Sequence, residues 1–457
     1  MPEPEPKPEP KPEPEPKPKP ESPQTAATVE AVWRLEAARV VAALARYTGD
    51  LGLAGELAQD ALVAALEQWP AEGVPAKPGA WLTAVGKRRA VDHFRRAETL
   101  RRKVGELGRE LEIDGVGGQT AGTDAALEAV DAAASDAAID DDLLRLVFTA
   151  CHPVLSDQAR VALTLRVLGG LSTAEIARAF LVPEATAAQR IVRAKRALAD
   201  AGVPFEVPDG PERRRRLASV LEVVYLIFNE GYSATAGDDW LRADLCQEAL
   251  RLGRLLAGLM PAEPEVHALV ALMEIQDSRR RARTGPDGEP VLLLDQDRAK
   301  WDRQQIERGL AALVRADQAF AADVSGNPAA EPGTYHLQAA LAACHARARS
   351  AEDTDWQLIA DLYDRLVRQT RSPVVELNRA VAVGMAQGPA ARLAITDTLT
   401  GMRAKRGYHL QPSVRGDLLL RLGRRAEARA EFKRAADLTA NTRERALLLA
   451  RAAACAD

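Results

Sequence analysis

Aromatic residues, cysteine and long apolar runs are all scarce in this chain. Aromatics make up 4% of the 457 residues and β-branched residues are sparse, which argues against a β-sandwich or a barrel. The four cysteines, Cys151, Cys246, Cys344 and Cys455, are far apart and form no C-x-x-C pair, so neither a disulfide framework nor a cysteine zinc site is predicted. Because no apolar run reaches the ~18 residues of a membrane span and no signal-peptide core begins the chain, we expect a cytoplasmic protein without membrane contact.

A large excess of either charge is also missing. The chain has 61 basic and 65 acidic residues, with a net charge of −4, so a surface for nucleic acid would have to come from local clustering. Apolar residues make up 47% of the chain, and Ala, Leu, Arg and Glu dominate it. These are strong helix formers, so we predict an all-α fold. At roughly 150 residues per domain, the length suggests about three domains.

The charge pattern divides the first two hundred residues. Residues 1–24 alternate Pro with Glu or Lys, which predicts a disordered, polyproline-II-like tail. Residues 25–103 have the apolar spacing of three helices, the second closed by Pro70 and the third running from Trp81 to Lys103 with eight basic residues and two acidic ones. Residues 104–141 read as an acidic linker rich in Gly, Ala and Asp.

Helical patterning resumes over residues 142–203 and continues through a long C-terminal extension, 204–457. Near its end, RLGRRAEARAEFKRAADL has the spacing of a tetratricopeptide helix pair, with small residues at Gly423, Ala428 and Ala435 around Phe432. The segment GMAQGPAARLAITDTL, some 35 residues earlier, is a weaker echo of the same unit.

Motifs of catalysis or metal binding are absent from the sequence. The six histidines form no H-x-x-x-H pair, and no P-loop, G-x-G-x-x-G or G-x-S-x-G occurs. The one polar cluster, Asn229-Glu230 with Asp238-Asp239, is better explained by a capped turn between helices. We therefore predict no enzyme, no catalytic residue, no metal site and no cofactor.

Residues 171–199 carry the most informative pattern, that of a helix-turn-helix. Ser172 and Glu175 have the spacing of a capping box that opens a short helix, and Pro183 suits the start of the next. The second helix places Ala187, Ile191, Ala194 and Leu198 on one side. At 100° per residue the opposite side centres on Gln189, Arg193 and Arg196, with Arg190 and Lys195 on its flanks. A basic, amide-bearing face on such a helix is what major-groove readout requires, although an ordinary helical hairpin would share the pattern.

The order of a basic helix, an acidic linker and a helix-turn-helix resembles the extracytoplasmic-function sigma factors of bacterial RNA polymerase. That family keeps a region-2 domain, which binds and melts the −10 element, and a region-4 domain, which reads the −35 element. Its D-L-V-Q-(E/D) motif, which docks on the polymerase clamp, is matched by Glu56-Leu57-Ala58-Gln59-Asp60. The resemblance therefore implies core polymerase as a partner, bound through Glu56, Leu57, Gln59 and Asp60.

The DNA contacts implied by the resemblance fall on two helices. The pattern W-L-x-x-(I/V)-x-x-(N/R)-x-x-x-D-x-x-R-R begins at Trp81, and it implies contacts to the −10 element and the melted non-template strand by Trp81, Lys87, Arg88, Arg89, Asp92, Arg95 and Arg96. Double-stranded −35 DNA would be contacted by Thr186, Gln189, Arg190, Arg193, Lys195 and Arg196. After Thr186 the chain departs from the commoner T-V-(R/K)-S-R of the family, so the −35 preference of other members does not carry over.

The extension resembles that of one branch of the same family, in which it is implied to regulate activity. It would act either by packing against the sigma modules or by recruiting a protein partner. Two other functions are open from the residues alone: a helix-turn-helix regulator with a ligand- or partner-binding helical domain, and a helical-repeat scaffold. A regulator would need dimer symmetry to read two half-sites, whereas a sigma factor acts as one subunit on core polymerase.

Overall fold

The computed structural model describes residues 23–111, 136–233, 241–286, 289–325, 330–370, 372–388, 410–421, 423–439 and 441–455. Across these ranges the chain forms seventeen α-helices and no β-strand, and one isolated bridge joins Thr284 and Pro290. The predicted all-α fold is thereby confirmed. No helix in these ranges combines the length and the apolar character needed to cross a bilayer.

The first three helices form what we call the N-terminal module: α1 (Pro23–Thr48), α2 (Leu51–Glu72) and α3 (Pro78–Leu111). The Asp50 carboxylate accepts the backbone N–H groups of Gly52 and Leu53 and so caps α2. Two sequence predictions need correction here. Pro70 lies inside α2 instead of closing it, and α3 begins before Trp81 and ends eight residues after Lys103.

The next four helices form the helix-turn-helix module: α4 (Asp136–Ala150), α5 (Asp157–Val167), α6 (Thr173–Ala179) and α7 (Glu184–Asp200). The segment predicted as an acidic linker, 104–141, is therefore helical at both of its ends, where α3 stops and α4 starts. Residues 112–135, which make up most of that linker, and residues 1–22 of the predicted tail lie outside the described ranges.

The remaining ten helices form the C-terminal block: α8 (Gly210–Tyr232), α9 (Ala243–Leu259), α10 (Pro264–Asp277), α11 (Arg303–Asp323), α12 (Thr334–Arg347), α13 (Trp356–Thr370), α14 (Pro373–Gln387), α15 (Leu410–Arg421), α16 (Arg425–Leu438) and α17 (Thr442–Ala454). Neighbouring helices of the block pack in hairpins, as the tetratricopeptide-like pattern predicts.

The late repeat unit folds as α15, α16 and α17. Phe432 is fully buried between these helices, and a Cβ on Gly416 would lie 2.8 Å from its ring, so the small residue is what lets α15 approach α16. Gly423 has φ of 73° in the turn between them, a conformation that favours glycine. The weaker echo of the unit falls largely outside the described ranges, from residue 389 onward.

One hydrophobic core connects the two modules with the start of the C-terminal block. It extends without a break from Val29 of α1, through Leu163 of α5 and Ile191 of α7, to Phe228 of α8 and Met273 of α10. Smaller separate cores lie further along the block, the last of them around Phe432. The N-terminal module, the helix-turn-helix module and the first helices of the block therefore pack as a single unit.

Candidate nucleic-acid interface

The helix-turn-helix is built as its local sequence predicts. The Ser172 hydroxyl accepts the Glu175 backbone N–H at 3.1 Å, and the Glu175 carboxylate accepts the Ser172 backbone N–H at 2.8 Å, which completes the capping box. The four residues predicted to face inward on α7, Ala187, Ile191, Ala194 and Leu198, are all buried. Pro183 is the N-cap of α7, one position before the first helical residue. In the turn between α6 and α7, Leu181 has φ of 49° and is 56% exposed.

The outward side of α7 carries the residues that the helical period places there. Gln189, Arg193 and Arg196 are exposed, and Arg196 makes only a loose ion pair with Asp200, at 3.6 Å. Thr186 and Arg190 are half-buried at the margin of this side. The arrangement leaves an amide and two guanidinium groups available to base edges and phosphates, which is the chemistry of major-groove readout.

Lys195, predicted as a DNA contact, faces α2 instead of solvent. Its ammonium group donates to the carbonyl oxygen of Gly52 at 3.3 Å. Burial lowers the pKa of Lys195, and Arg166 lowers it further, while Glu56 of the predicted clamp motif opposes the shift. A cavity of about 260 Å³ between α2 and α7 is lined by Lys195 together with Glu56 and Gln59. In this arrangement a predicted DNA contact and a predicted polymerase contact occupy the same interface.

The predicted polymerase contacts on α2 divide by exposure. Glu56 and Asp60 are exposed one turn apart, Gln59 is half-buried, and Leu57 is only 4% exposed. A buried Leu57 packs in the core of the N-terminal module, so its side chain supports α2 and is not part of the surface. The structure thus revises the sequence-based assignment of Leu57 as a surface contact.

The predicted DNA contacts on α3 also differ in exposure. Arg88, Asp92, Arg95 and Arg96 are exposed along the middle of the helix. Arg89, in contrast, pairs with Asp60 of α2 at 3.2 Å.

Two other predicted contacts on α3 are held by packing. The ammonium group of Lys87 lies 5.9 Å from the ring centre of Tyr47, and burial followed by repulsion from Arg46 lowers the pKa of Lys87. Trp81 packs edge-to-face on Trp69, with ring centres 5.4 Å apart. Of the seven residues predicted to contact the −10 element, four are therefore exposed and three are engaged within the N-terminal module.

Contacts between α1 and the helix-turn-helix module were not predicted from the sequence. The Trp33 indole N–H donates to the carbonyl oxygen of Gly170 at 3.2 Å, and Arg34 pairs with Glu175 at 2.6 Å. Burial alone would raise the pKa of Glu175, but its bonds to Ser172 and the charge of Arg34 bring the pKa below the ordinary value. No local signal in the sequence identifies the partner of Trp33, which lies 137 residues away.

The C-terminal block holds the helix-turn-helix module from the other side. The guanidinium group of Arg216 in α8 donates to the carbonyl oxygen of Phe148 at 2.8 Å, and that of Arg251 in α9 donates to the carbonyl oxygen of Leu168 at 2.6 Å. Arg251 is itself oriented by Glu248, which lies 2.7 Å away. Leu168 immediately precedes the Gly169-Gly170 turn into the helix-turn-helix, so this contact and the Trp33 contact fix the same turn.

Histidine and cysteine side chains of the described residues form no cluster of three or more metal-ligating groups with Asp or Glu. The Cys151 thiol lies against the Thr164 hydroxyl at 3.4 Å, and burial raises the pKa of Cys151 to about 11. His345 is held against Trp356, and burial, with Arg279 and Arg298 nearby, lowers the pKa of His345 to about 4. Glu230 of the polar cluster pairs with Arg242 at 2.6 Å, whereas Asp238 and Asp239 fall outside the described ranges.

Family models match three stretches of the chain. Residues 33–99 match sigma-70 region 2, and residues 145–198 match sigma-70 region 4. Residues 216–317, which begin in α8 and end in α11, match a family of unknown function, DUF6596. The first two matches coincide with the N-terminal module and the helix-turn-helix module.

Comparisons with whole proteins give one relative and one structure. The chain is 45% identical over 414 residues to "Uncharacterized protein R00370" of Rhizobium meliloti (strain 1021), an alignment that covers 90% of this chain and 92% of the relative. The crystal structure of a tetratricopeptide repeat protein from Parabacteroides merdae ATCC 43184 is 13% identical, with a TM-score of 0.31, over 62% of this chain and 97% of that one.

Proposed function

Because the chain belongs to the sigma-70 family of RNA polymerase sigma factors, we propose that it binds core polymerase through α2, the −10 element through α3 and the −35 element through α7. In this proposal the N-terminal module is region 2, the helix-turn-helix module is region 4, and residues 204–457 regulate both. The observation that carries the proposal is the outward side of α7, where Gln189, Arg193 and Arg196 are exposed on a capped helix-turn-helix within the region-4 match.

The proposal for core binding rests on the acidic side of α2. Glu56 and Asp60 lie one turn apart and exposed, so a basic surface of the polymerase could meet both carboxylates at once, competing with Arg89 for that of Asp60. Asp60→Lys should lower core affinity severalfold, because it replaces an attraction by a repulsion. Glu72→Lys at the far end of the same helix is the matched control and should leave the affinity nearly unchanged. If Asp60→Lys and Glu72→Lys both bound core polymerase as tightly as the unmodified protein, the proposed contact at Asp60 would be wrong.

The direct test of the function is run-off transcription with purified core polymerase and the full chain. The expected result is initiation from selected promoters only when both proteins are present. If the chain instead bound paired half-sites as a dimer and did not associate with core polymerase, it would be a conventional regulator and the proposal would fail.

The packing between the modules supports a regulatory role in which the C-terminal block restrains their separation. Elements centred 10 and 35 base pairs upstream of the start are about 85 Å apart along B-form DNA, at about 3.4 Å per base pair. Arg89 of α3 pairs with Asp60, and Lys195 of α7 bonds to Gly52, which lies eight residues, or about 12 Å, from Asp60 along α2. In this closed arrangement the middle of α3 and α7 lie too close together to reach both elements. We therefore propose that the two modules separate on the promoter, and that the C-terminal block favours the closed arrangement through its contacts on the helix-turn-helix module.

Arg251 allows this restraint to be tested in the full chain. A cut within residues 204–211 would uncover the core that α8 shares with α5, so truncation would confuse regulation with folding. Arg251→Ala removes the bond to Leu168 and should raise the affinity of the free protein for −35 duplex DNA. Arg254→Ala is the control, since Arg254 lies on the same helix and pairs with Glu274 inside the block. No change with Arg251→Ala, or the same change with both variants, would overturn the proposed restraint.

A further inference from the structure

One large apolar side chain lies on the outward side of α7. Val192 is 63% exposed, three residues after Gln189 and four before Arg196. The other large apolar residues of α7, Ile191 and Leu198, are buried against the rest of the module. Val192 therefore stands on the surface that carries Gln189, Arg193 and Arg196, and it contributes nothing to the core.

Folding alone does not account for valine at this position. A β-branched residue lowers helix propensity relative to alanine, and an exposed side chain recovers none of that loss through burial. Single exposed apolar residues are common on protein surfaces, so exposure by itself carries little weight. What sets Val192 apart is its place in the middle of a polar, basic helix face that the proposed function lays in the major groove.

The major groove presents one apolar group, the 5-methyl of thymine, and side chains such as those of alanine, threonine and phenylalanine recognise it by direct contact. A step of three residues along a helix is about 4.5 Å, close to the roughly 3.4 Å rise of one base pair. If Gln189 reads one base pair, Val192 reaches the next one along the groove.

We propose that Val192 contacts the 5-methyl group of a thymine in the −35 element and selects that base. This inference rests on the proposed function and deepens it, because it names a specificity-determining residue and the chemical group that it recognises. Neither the family pattern nor the polar residues predicted from the helical period include it.

The experiment uses the full chain with core polymerase. A −35 sequence is first selected from a randomised promoter library, and each thymine in it is then replaced by deoxyuridine, which removes only the methyl group. At one position the unmodified protein should lose about fourfold in affinity, the factor expected for one buried methyl group. In Val192→Ser, which replaces the apolar contact group by a hydroxyl, thymine and deoxyuridine should bind equally at that position and the remaining positions should be unaffected.

Val314→Ser provides the matched control. Val314 is 49% exposed on α11, which packs against α10 and α12 in the C-terminal block, so this variant should keep the full thymine preference. An equal loss on removal of the methyl group in the unmodified protein and in Val192→Ser would overturn the inference, as would a selected element in which no thymine shows a loss. Both results leave sequence-specific −35 binding intact, whereas failure to select any −35 sequence would refute the proposed function itself.

Discussion

Replacing Trp33 with Phe deletes the indole N–H and keeps an aromatic ring in the core. In the closed arrangement that N–H donates to the carbonyl oxygen of Gly170, across the contact between α1 and the helix-turn-helix module. Once the modules separate, water can satisfy both groups. The variant therefore weakens the closed arrangement and leaves the open one nearly unchanged.

The size of the effect follows from the hydrogen bond. Because Trp33 and Gly170 are both buried, the variant leaves the Gly170 carbonyl without a partner in the closed arrangement, which costs about 1–3 kcal/mol. A shift of that size in the equilibrium between closed and open forms should raise the affinity of the free protein for −35 duplex DNA about 5- to 160-fold, provided that the closed form predominates.

Trp69→Phe serves as the control because Trp69 is equally buried, at 3% exposure, and belongs to the same module, yet its indole N–H has no hydrogen-bond partner. Both variants lose the same volume, but only one loses an inter-module bond. Fluorescence anisotropy with a labelled −35 duplex, without polymerase, measures the difference. If the two variants bind equally well, or if Trp33→Phe binds more weakly than the unmodified protein, the closed arrangement does not limit DNA binding.

Three further predictions concern stability, each measured by urea unfolding. Leu181→Gly should raise the free energy of unfolding by about 0.5–1 kcal/mol, because it relieves a positive φ of 49° on an exposed side chain; an unchanged midpoint would contradict strain in that turn. Because burial lowers the pKa of His345 from 6.5 to about 4, the unfolded chain binds the extra proton, and stability should fall by at most about 3 kcal/mol as the pH drops through that window. The substitution His345→Leu should remove this pH-dependent loss of stability, whereas a substitution of the exposed His93 should leave it in place. Phe432→Ala should cost about 3–5 kcal/mol, since the ring is fully buried, and an equal cost for Phe94→Ala, where the ring is 37% exposed, would argue against the packing described.

The local sequence was sufficient to predict caps, burial and exposure wherever neighbours within one or two helical turns determine the environment of a residue. The capping box at Ser172 and the buried side of α7 follow from spacing alone, and so does the exposure of Gln189. The direction of Lys195 could not be predicted, because the helical period leaves it on a flank and its partner, Gly52, lies 143 residues away.

The resemblance to the family motif could not separate surface residues from core residues. It predicts both Leu57 and Asp60 as polymerase contacts, but packing buries Leu57 in the core and leaves Asp60 on the surface. Helix ends were also poorly predicted, since the change of charge after Lys103 suggested a boundary that the backbone of α3 does not follow.

The bond between Lys195 and Gly52 joins a helix proposed to read DNA to the start of a helix proposed to bind polymerase. If each ligand requires that this contact be broken, the two binding events are linked thermodynamically, and the factor by which core polymerase raises affinity for the −35 element must equal the factor by which that element raises affinity for core polymerase. The first ligand to bind would then have a lower apparent affinity, because part of its binding free energy separates the modules. The second ligand would bind more tightly, because the modules are already apart. Promoter recognition by the free protein would be suppressed by the same interaction that makes the assembled complex cooperative.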